Sequence, residues 1–134
     1  MQLVEQYFET SALMVRPPHE ILRIARILLT DISLWTQGAR ARDALGKKVK
    51  PHDPRAVCWS LNGAIAIASN PHGITPPGLL MFLTNIVKEW RLIVLLYKAD
   101  EFELWEDVDD FNDQRPHRFI LALLDEAITR LETQ

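Results

Sequence analysis

Cys58-Trp59 is the one cysteine-containing pair in this 134-residue sequence, and it sits where a helix start can be read. Helix N-terminal dipoles lower a thiol pKa, and the thiolate is the nucleophile of acyl transfer and hydrolysis. Such a nucleophile needs a base, for which His72 and His117 are the downstream candidates, with Asn112 as an orienter. The local pattern of papain-type enzymes is absent, and a free cysteine commonly packs as a small hydrophobe. A cysteine-dependent hydrolase or acyl transferase using Cys58 and His117 is therefore the alternative reading, and the sequence leans away from an enzyme.

Two opposed charge runs come next. Asp100, Glu101, Glu103, Glu106, Asp107, Asp109, Asp110 and Asp113 follow one another without an intervening cation. Oxygen ligands suit hard cations, but the spacing is not that of a calcium loop and no histidine pair joins the run. A solvated acidic face is the reading adopted, with no metal and no cofactor expected. Arg40, Arg42, Lys47, Lys48, Lys50 and Arg55 stand against Asp43 and Asp53, a local surplus of 6 − 2 = +4. This basic stretch could meet phosphates or dock on the acidic run, within the chain or in a second copy. It lacks interleaved aromatics for base stacking and the whole chain carries −3, so nucleic acid is not the expected partner. A nucleic-acid accessory protein is kept as a further alternative.

The densest polar set is Trp35, Gln37, Arg40, Arg42, Asp43, Asn112 and Asp113. In the functional reading these residues line a pocket beside Trp35 for a small anionic ligand or a protein partner. In the structural reading Asp43 shapes a turn, Arg42 pairs with Asp113 and Asn112 caps the last helix.

The elements that must position these groups read as mainly helical. Residues 2–10 could form a short helix. Pro17-Pro18 opens a helix over about 18–33, with Ile21, Ile24, Ala25, Leu28, Leu29 and Ile32 on one face. Thr36–Asp43 and Lys47–Lys50, joined by Ala44-Leu45-Gly46, read as a hairpin. Asp53-Pro54 reads as a helix start and Asn70-Pro71-His72-Gly73 as its stop. Thr75-Pro76-Pro77 opens a long helix to about Tyr97, apolar nearly all round and expected at the centre of the core. Trp105, Val108 and Phe111 suggest a short amphipathic helix. Pro116 starts the last one, with Ile120, Leu123, Leu124, Ala127, Ile128 and Leu131 inward. The fold expected is one domain over 1–134. It is a compact bundle of four to six helices, with one small β-hairpin between the second and third.

Trp35-Thr36-Gln37-Gly38-Ala39, Ala41-Arg42-Asp43-Ala44-x-Gly46, Val49, Asp53-Pro54, Trp59 with Gly63-Ala64, and Phe111-Asn112-Asp113 together resemble a family of small uncharacterised bacterial and phage proteins. The resemblance runs over about residues 20–130 and departs from the pattern at Ser60, where relatives carry cysteine, and at Phe111, where they carry tryptophan. The family is a domain of unknown function, so the likeness implies a fold grouping and no activity.

Composition narrows the setting. One cysteine excludes an internal disulfide and suits a reducing cytosol. The N-terminus lacks the basic start and apolar block of a signal peptide. The most apolar run, Leu79–Tyr97, holds Lys88, Glu89 and Arg91, each costing ~3 kcal/mol in a bilayer, so a membrane span is not expected. A cytoplasmic binding or interaction module is the leading expectation, with a homo-oligomer compatible. On that reading Arg42→Ala and Asn112→Ala would abolish binding and leave the melting temperature nearly unchanged.

Overall fold

The structure is a computed structural model that describes residues 16–69, 75–98 and 106–133. The expected helix at 2–10 and the stop at 70–73 lie outside them. Five helices are described: α1 (Pro18–Leu29), α2 (Leu61–Ser69), α3 (Pro77–Lys98), α4 (Val108–Gln114) and α5 (His117–Glu132). Between α1 and α2 come a 3-10 turn, Ile32–Leu34, and two short strands, β1 (Ala41–Arg42) and β2 (Cys58–Trp59).

The helices begin where chain chemistry favours them. Pro18 is the first residue of α1, where its missing N–H costs nothing, and Pro77 opens α3 likewise. Ile21, Leu22, Ala25 and Leu29 of α1 are buried together with Leu61, Ala64, Ile65 and Ala68 of α2 and Ile120, Leu123, Leu124 and Ala127 of α5. Helix α1 packs on both α2 and α5 and so forms the middle of the bundle. Helix α3 was expected there, but it packs mainly on α4 and α5. Its buried row is Leu79, Leu83, Ile86 and Val87, while Met81, Asn85, Leu92 and Ile93 are exposed. Leu92 and Ile93 on the outer face reflect hydrophobic richness that sequence alone reads as centrality.

Ion pairs tie the helices together on the outside. Arg26 meets Asp125 at 2.9 Å and Arg23 meets Glu132, both joining α1 to α5. Arg130 of α5 reaches Glu89 of α3 at 2.8 Å and Glu126 at 2.7 Å. Exposed pairs of this kind are worth about 0–1 kcal/mol each, so they align the helices more than they hold them.

The β element stands in the expected place but is paired differently. Its ladder joins Ala41 to Trp59 and Arg42 to Cys58, antiparallel. The return segment contributes one bridge, Arg42 to Lys48, with Val49 N–H donating to Ala41 O at 3.0 Å. β1 is therefore the middle of three segments. Cys58-Trp59 was assigned to a helix begun by Asp53-Pro54, and the structure overturns that. The Asp53 carboxylate accepts Arg55 N–H at 2.8 Å and its carbonyl accepts Ala56 N–H at 2.9 Å, which closes a tight turn. The chain then pairs with β1, and α2 starts only at Leu61. Its cap is Ser60, whose hydroxyl oxygen accepts Gly63 N–H at 3.1 Å.

Gly63 marks where the two parts meet. A Cβ there would lie 1.9 Å from the carbonyl oxygen of Arg40, so only glycine lets α2 lie against the strand loop. Gly78, early in α3, has open space around the same position. Gly63→Ala is expected to destabilise the protein by at least ~2 kcal/mol in urea denaturation. Gly78→Ala should be neutral or stabilising by up to ~1 kcal/mol, because alanine is the better helix former.

Candidate functional site

The loop after the 3-10 turn carries Trp35, Thr36, Gln37 and Gly38 against the end of α4. Asn112 is fully buried there, with 0% of its surface exposed. Its Oδ1 accepts the indole N–H of Trp35 at 2.8 Å and the backbone N–H of Leu61 at 3.0 Å. Its Nδ2 donates to Thr36 O at 3.0 Å and to Asp113 Oδ1 at 3.2 Å. A carboxamide has two donor hydrogens and two acceptor lone pairs, so this one is saturated. Gln37 Nε2 donates to Asn112 O at 3.0 Å and Arg115 O at 3.3 Å, satisfying carbonyls at the open end of α4. Asp113 Oδ1 accepts Gly38 N–H at 2.8 Å.

Arg42 and Asp43 finish the loop from inside. The Arg42 guanidinium donates to Thr36 Oγ1 at 3.1 Å, Gly46 O at 3.0 Å and Gln37 O at 3.0 Å. It does not pair with Asp113, as sequence suggested, because the loop carbonyls take its hydrogens first. Asp43 Oδ1 accepts Leu45 N–H and Lys47 N–H, both at 2.9 Å, and so shapes the turn as expected. Gly46 completes that turn with φ +84°. Asn112 caps the start of α2, not the last helix, because Leu61 N–H is the orphan donor within its reach. The mid-chain loop and the Asn112-Asp113 step thus share one corner, as the proposed pocket required. Most polar atoms of that corner nevertheless face one another.

The weaker candidates fall apart spatially. Cys58 lies in β2 with Sγ 4.0 Å from Arg42 O, three residues short of the first helical residue, so no helix start activates it. His117 sits under Trp35, ring centroids 5.4 Å apart, and its Nε2–H donates to Leu29 O at 2.6 Å. No hydrogen bond joins Cys58 to a histidine among the described residues, and His72 lies outside them.

Open space lies on the outer side of the corner. A cleft of about 410 Å³ is lined by Gly38, Ala39, Arg40, Lys48, Val49, Lys50 and Pro51. A smaller one of about 170 Å³ adjoins it, sharing Gly38, Ala39 and Arg40 and adding Ser60, Asp109 and Asp113. Arg40, alone of the expected set, opens onto both. Burial of its carboxyl raises the Asp109 pKa, offset by the hydrogen bond from Asn62; Asp107 and Asp113 push it further up, and Arg40 holds it down. Lys48 and Lys50 were counted in the basic stretch but not assigned to a site; their i, i+2 spacing on one strand face was the available signal. Ser60 was noted only as a departure from the family pattern and Asp109 only within the acidic run; neither was assigned to a site. Asp109 stands four residues before Asp113, one helical turn away, which could have placed both on one face.

The rest of the acidic run is occupied with caps. Asp107 accepts Asp110 N–H at 2.9 Å, and Asp110 accepts Glu106 N–H at 3.1 Å. No group of three or more metal-ligating side chains occurs among the described residues.

Residues 14–130 match the model of the DUF6197 family, a family of unknown function. The chain belongs to that family. Its core, its corner and both clefts lie inside the matched span. No curated protein and no solved structure matches the chain.

The saturated amide reverses the expectation of a harmless Asn112→Ala. That change strips partners from the half-buried Trp35 indole, the buried Leu61 N–H and the Thr36 carbonyl. It should cost at least ~3 kcal/mol in chemical denaturation, whereas Trp35→Phe, which removes one of these bonds, should cost about 1–2 kcal/mol. For Asp109, an NMR titration should place the carboxyl midpoint above its ordinary 3.8, and Arg40→Ala should move it higher still. Its folded pKa exceeds the unfolded one. The stabilisation is therefore complete below 3.8 and is lost as pH rises through the folded midpoint.

Proposed function

We propose that this member of the DUF6197 family is a non-catalytic binding module that takes an anionic group in the cleft between Gly38–Arg40 and Lys48–Pro51. One observation carries the reading. Arg40, Lys48 and Lys50 line that cleft with no carboxylate among its lining residues. None of the three side chains makes an ion pair or hydrogen bond among the described residues. Elsewhere the arginines are engaged: Arg55 by Asp53 at 2.8 Å, Arg91 by Glu106 at 3.1 Å, and Arg26 and Arg130 as above. Three cations lining one cleft, with carboxylates only beyond Arg40 in the adjoining one, raise the local anion concentration, and a phosphate or carboxylate relieves their mutual repulsion.

The frame around the cleft supports binding over chemistry. The loop is held by Asn112, Arg42 and Asp113, so the cations stand on a preorganised support and little entropy is lost on binding. Cys58 and His117 are each engaged with backbone carbonyls and not with one another. A second reading, a protein partner, draws on the tip of the turn. Leu45 is 85% exposed there and shares a shallow hollow with Ala44, Pro54 and Val57. A partner with an acidic rim around an apolar pocket would meet both features. The single cysteine favours a cytoplasmic setting. Among the described residues no helix is long and apolar enough to cross a membrane. A bacterial or phage origin is part of the same proposal.

Addition of inorganic phosphate at low ionic strength should shift the backbone amides of Gly38–Arg40 and Lys48–Lys50 in NMR spectra. Lys48→Ala and Lys50→Ala should each weaken that binding about three- to tenfold with the melting temperature unchanged. Unmoved amides in the wild type would refute the assignment.

A further inference from the structure

The two clefts beside Arg40 differ in what they offer a ligand. The larger presents Arg40, Lys48 and Lys50. The smaller presents Asp109, Asp113 and Ser60, with Arg40 at the boundary. Asp113 uses Oδ1 for Gly38 and Asn112, and Asp109 uses Oδ1 for Asn62 at 3.3 Å. The second oxygen of each carboxylate accepts no hydrogen bond among the described residues. Ser60 adds a buried hydroxyl to the wall of this space. It is only 4% exposed, lines the cleft and receives Gly63 N–H, yet its own hydroxyl hydrogen has no acceptor among the described residues. A buried hydroxyl normally donates as well as accepts.

We infer that the ligand is amphoteric: a small molecule whose anionic group lies among Arg40, Lys48 and Lys50 and whose amine, a few bonds away, enters the adjoining cleft against Asp109 and Asp113. The inference rests on the anion-binding reading of the larger cleft. An anion alone would be attracted by three cations but repelled by the carboxylates next door. A cation alone would meet Arg40. A molecule carrying both charges satisfies each cleft and places its linking atoms at Ser60, where the hydroxyl hydrogen finds an acceptor. The smaller cleft, about 170 Å³, admits an aminoalkyl group and little more, which limits the class to short amino-phosphates and amino acids with an anionic side group. Burial of the Asp109 carboxyl, which raises its pKa, is consistent with a site whose negative charge gains from an incoming ammonium.

Calorimetric titration of the full chain at low ionic strength and neutral pH tests this with three probes: inorganic phosphate, ethanolamine and phosphoethanolamine. The expected order is weak binding of phosphate, weaker binding of ethanolamine, and phosphoethanolamine about tenfold tighter than phosphate, the increment of one charge-assisted contact. Asp109→Asn should bring phosphoethanolamine to within about twofold of phosphate while phosphate binding stays equal or tightens. If phosphate binds and phosphoethanolamine binds no better, or if Asp109→Asn keeps the advantage, the amphoteric ligand is overturned and the anion site stands. If neither phosphate nor phosphoethanolamine binds, both readings fall. Thermal unfolding of Asp109→Asn should match the wild type; if it does not, the order of the three probes on the wild-type chain decides alone, and phosphoethanolamine no tighter than phosphate overturns the proposal.

Discussion

One buried carboxamide organises this molecule. Asn112 has no solvent to fall back on, so each hydrogen it does not donate and each lone pair it leaves empty would cost about 1–3 kcal/mol. All four positions are filled, and the four partners come from three separate stretches: Trp35 and Thr36, Leu61, and Asp113. The loop, the start of α2 and the end of α4 therefore lie in one arrangement that satisfies the amide. Gly63 enforces the same arrangement sterically from the other side, since its Cα approaches Arg40 O too closely for any side chain. A hydrogen-bond requirement and a packing requirement thus locate the backbone of Gly38–Arg40 independently of each other.

Charge follows from that geometry. Carboxylates near free backbone N–H groups cap turns and helices: Asp31 over Ser33, Asp43 over Leu45 and Lys47, Asp107 over Asp110. Arg55, through its guanidinium and its backbone N–H, holds Asp53 well below the usual carboxylate range, at about 2. Guanidinium groups near loop carbonyls or helix carboxylates are similarly engaged. Around the Gly38–Arg40 loop this leaves Arg40, Lys48 and Lys50 without an ion pair among the described residues, next to carboxylates of Asp109 and Asp113 that each keep one oxygen free of hydrogen bonds among them. Both sets line clefts bordered by the Gly38–Arg40 loop, which Asn112, Asp113 and Gly63 hold in place.

The helices were largely legible because their signals are local. Proline at the first turn and apolar residues three and four apart bring α1, α3 and α5 out within a few residues of their observed bounds. The sequence misleads where a distant partner decides. Asp53-Pro54 is a sound helix start in isolation, yet Val57–Ser60 gain more by pairing with β1, and the cap moves to Ser60. The expected hairpin kept its turn, because Asp43 and Gly46 act locally. Its main partner strand became β2, which lies further along the chain. Helix α3 looked central from its composition, because apolar content reports burial on average and not which face meets which neighbour.

The corner itself was half legible. Trp35, Gln37, Arg42, Asn112 and Asp113 do share one hydrogen-bonded network, while Asp43 serves its own turn; the purpose of the group was not readable. Polar residue types at loop positions look alike whether their hydrogens face inward or outward, and only the paired coordinates separate the two. Arg42 and Arg40 make the point. Only Arg42 lies in the two-residue strand, and Arg40 belongs to the bend before it, so strand alternation does not relate the directions of their side chains. Arg42 turns onto the loop carbonyls and is used up in holding the fold, while Arg40 turns outward between the two clefts. Lys48 and Lys50, two apart on the return segment, line the same cleft as Arg40. The structural part of the signature makes the rigid loop, and Arg40, Lys48 and Lys50, which that network does not use, are left lining the cleft.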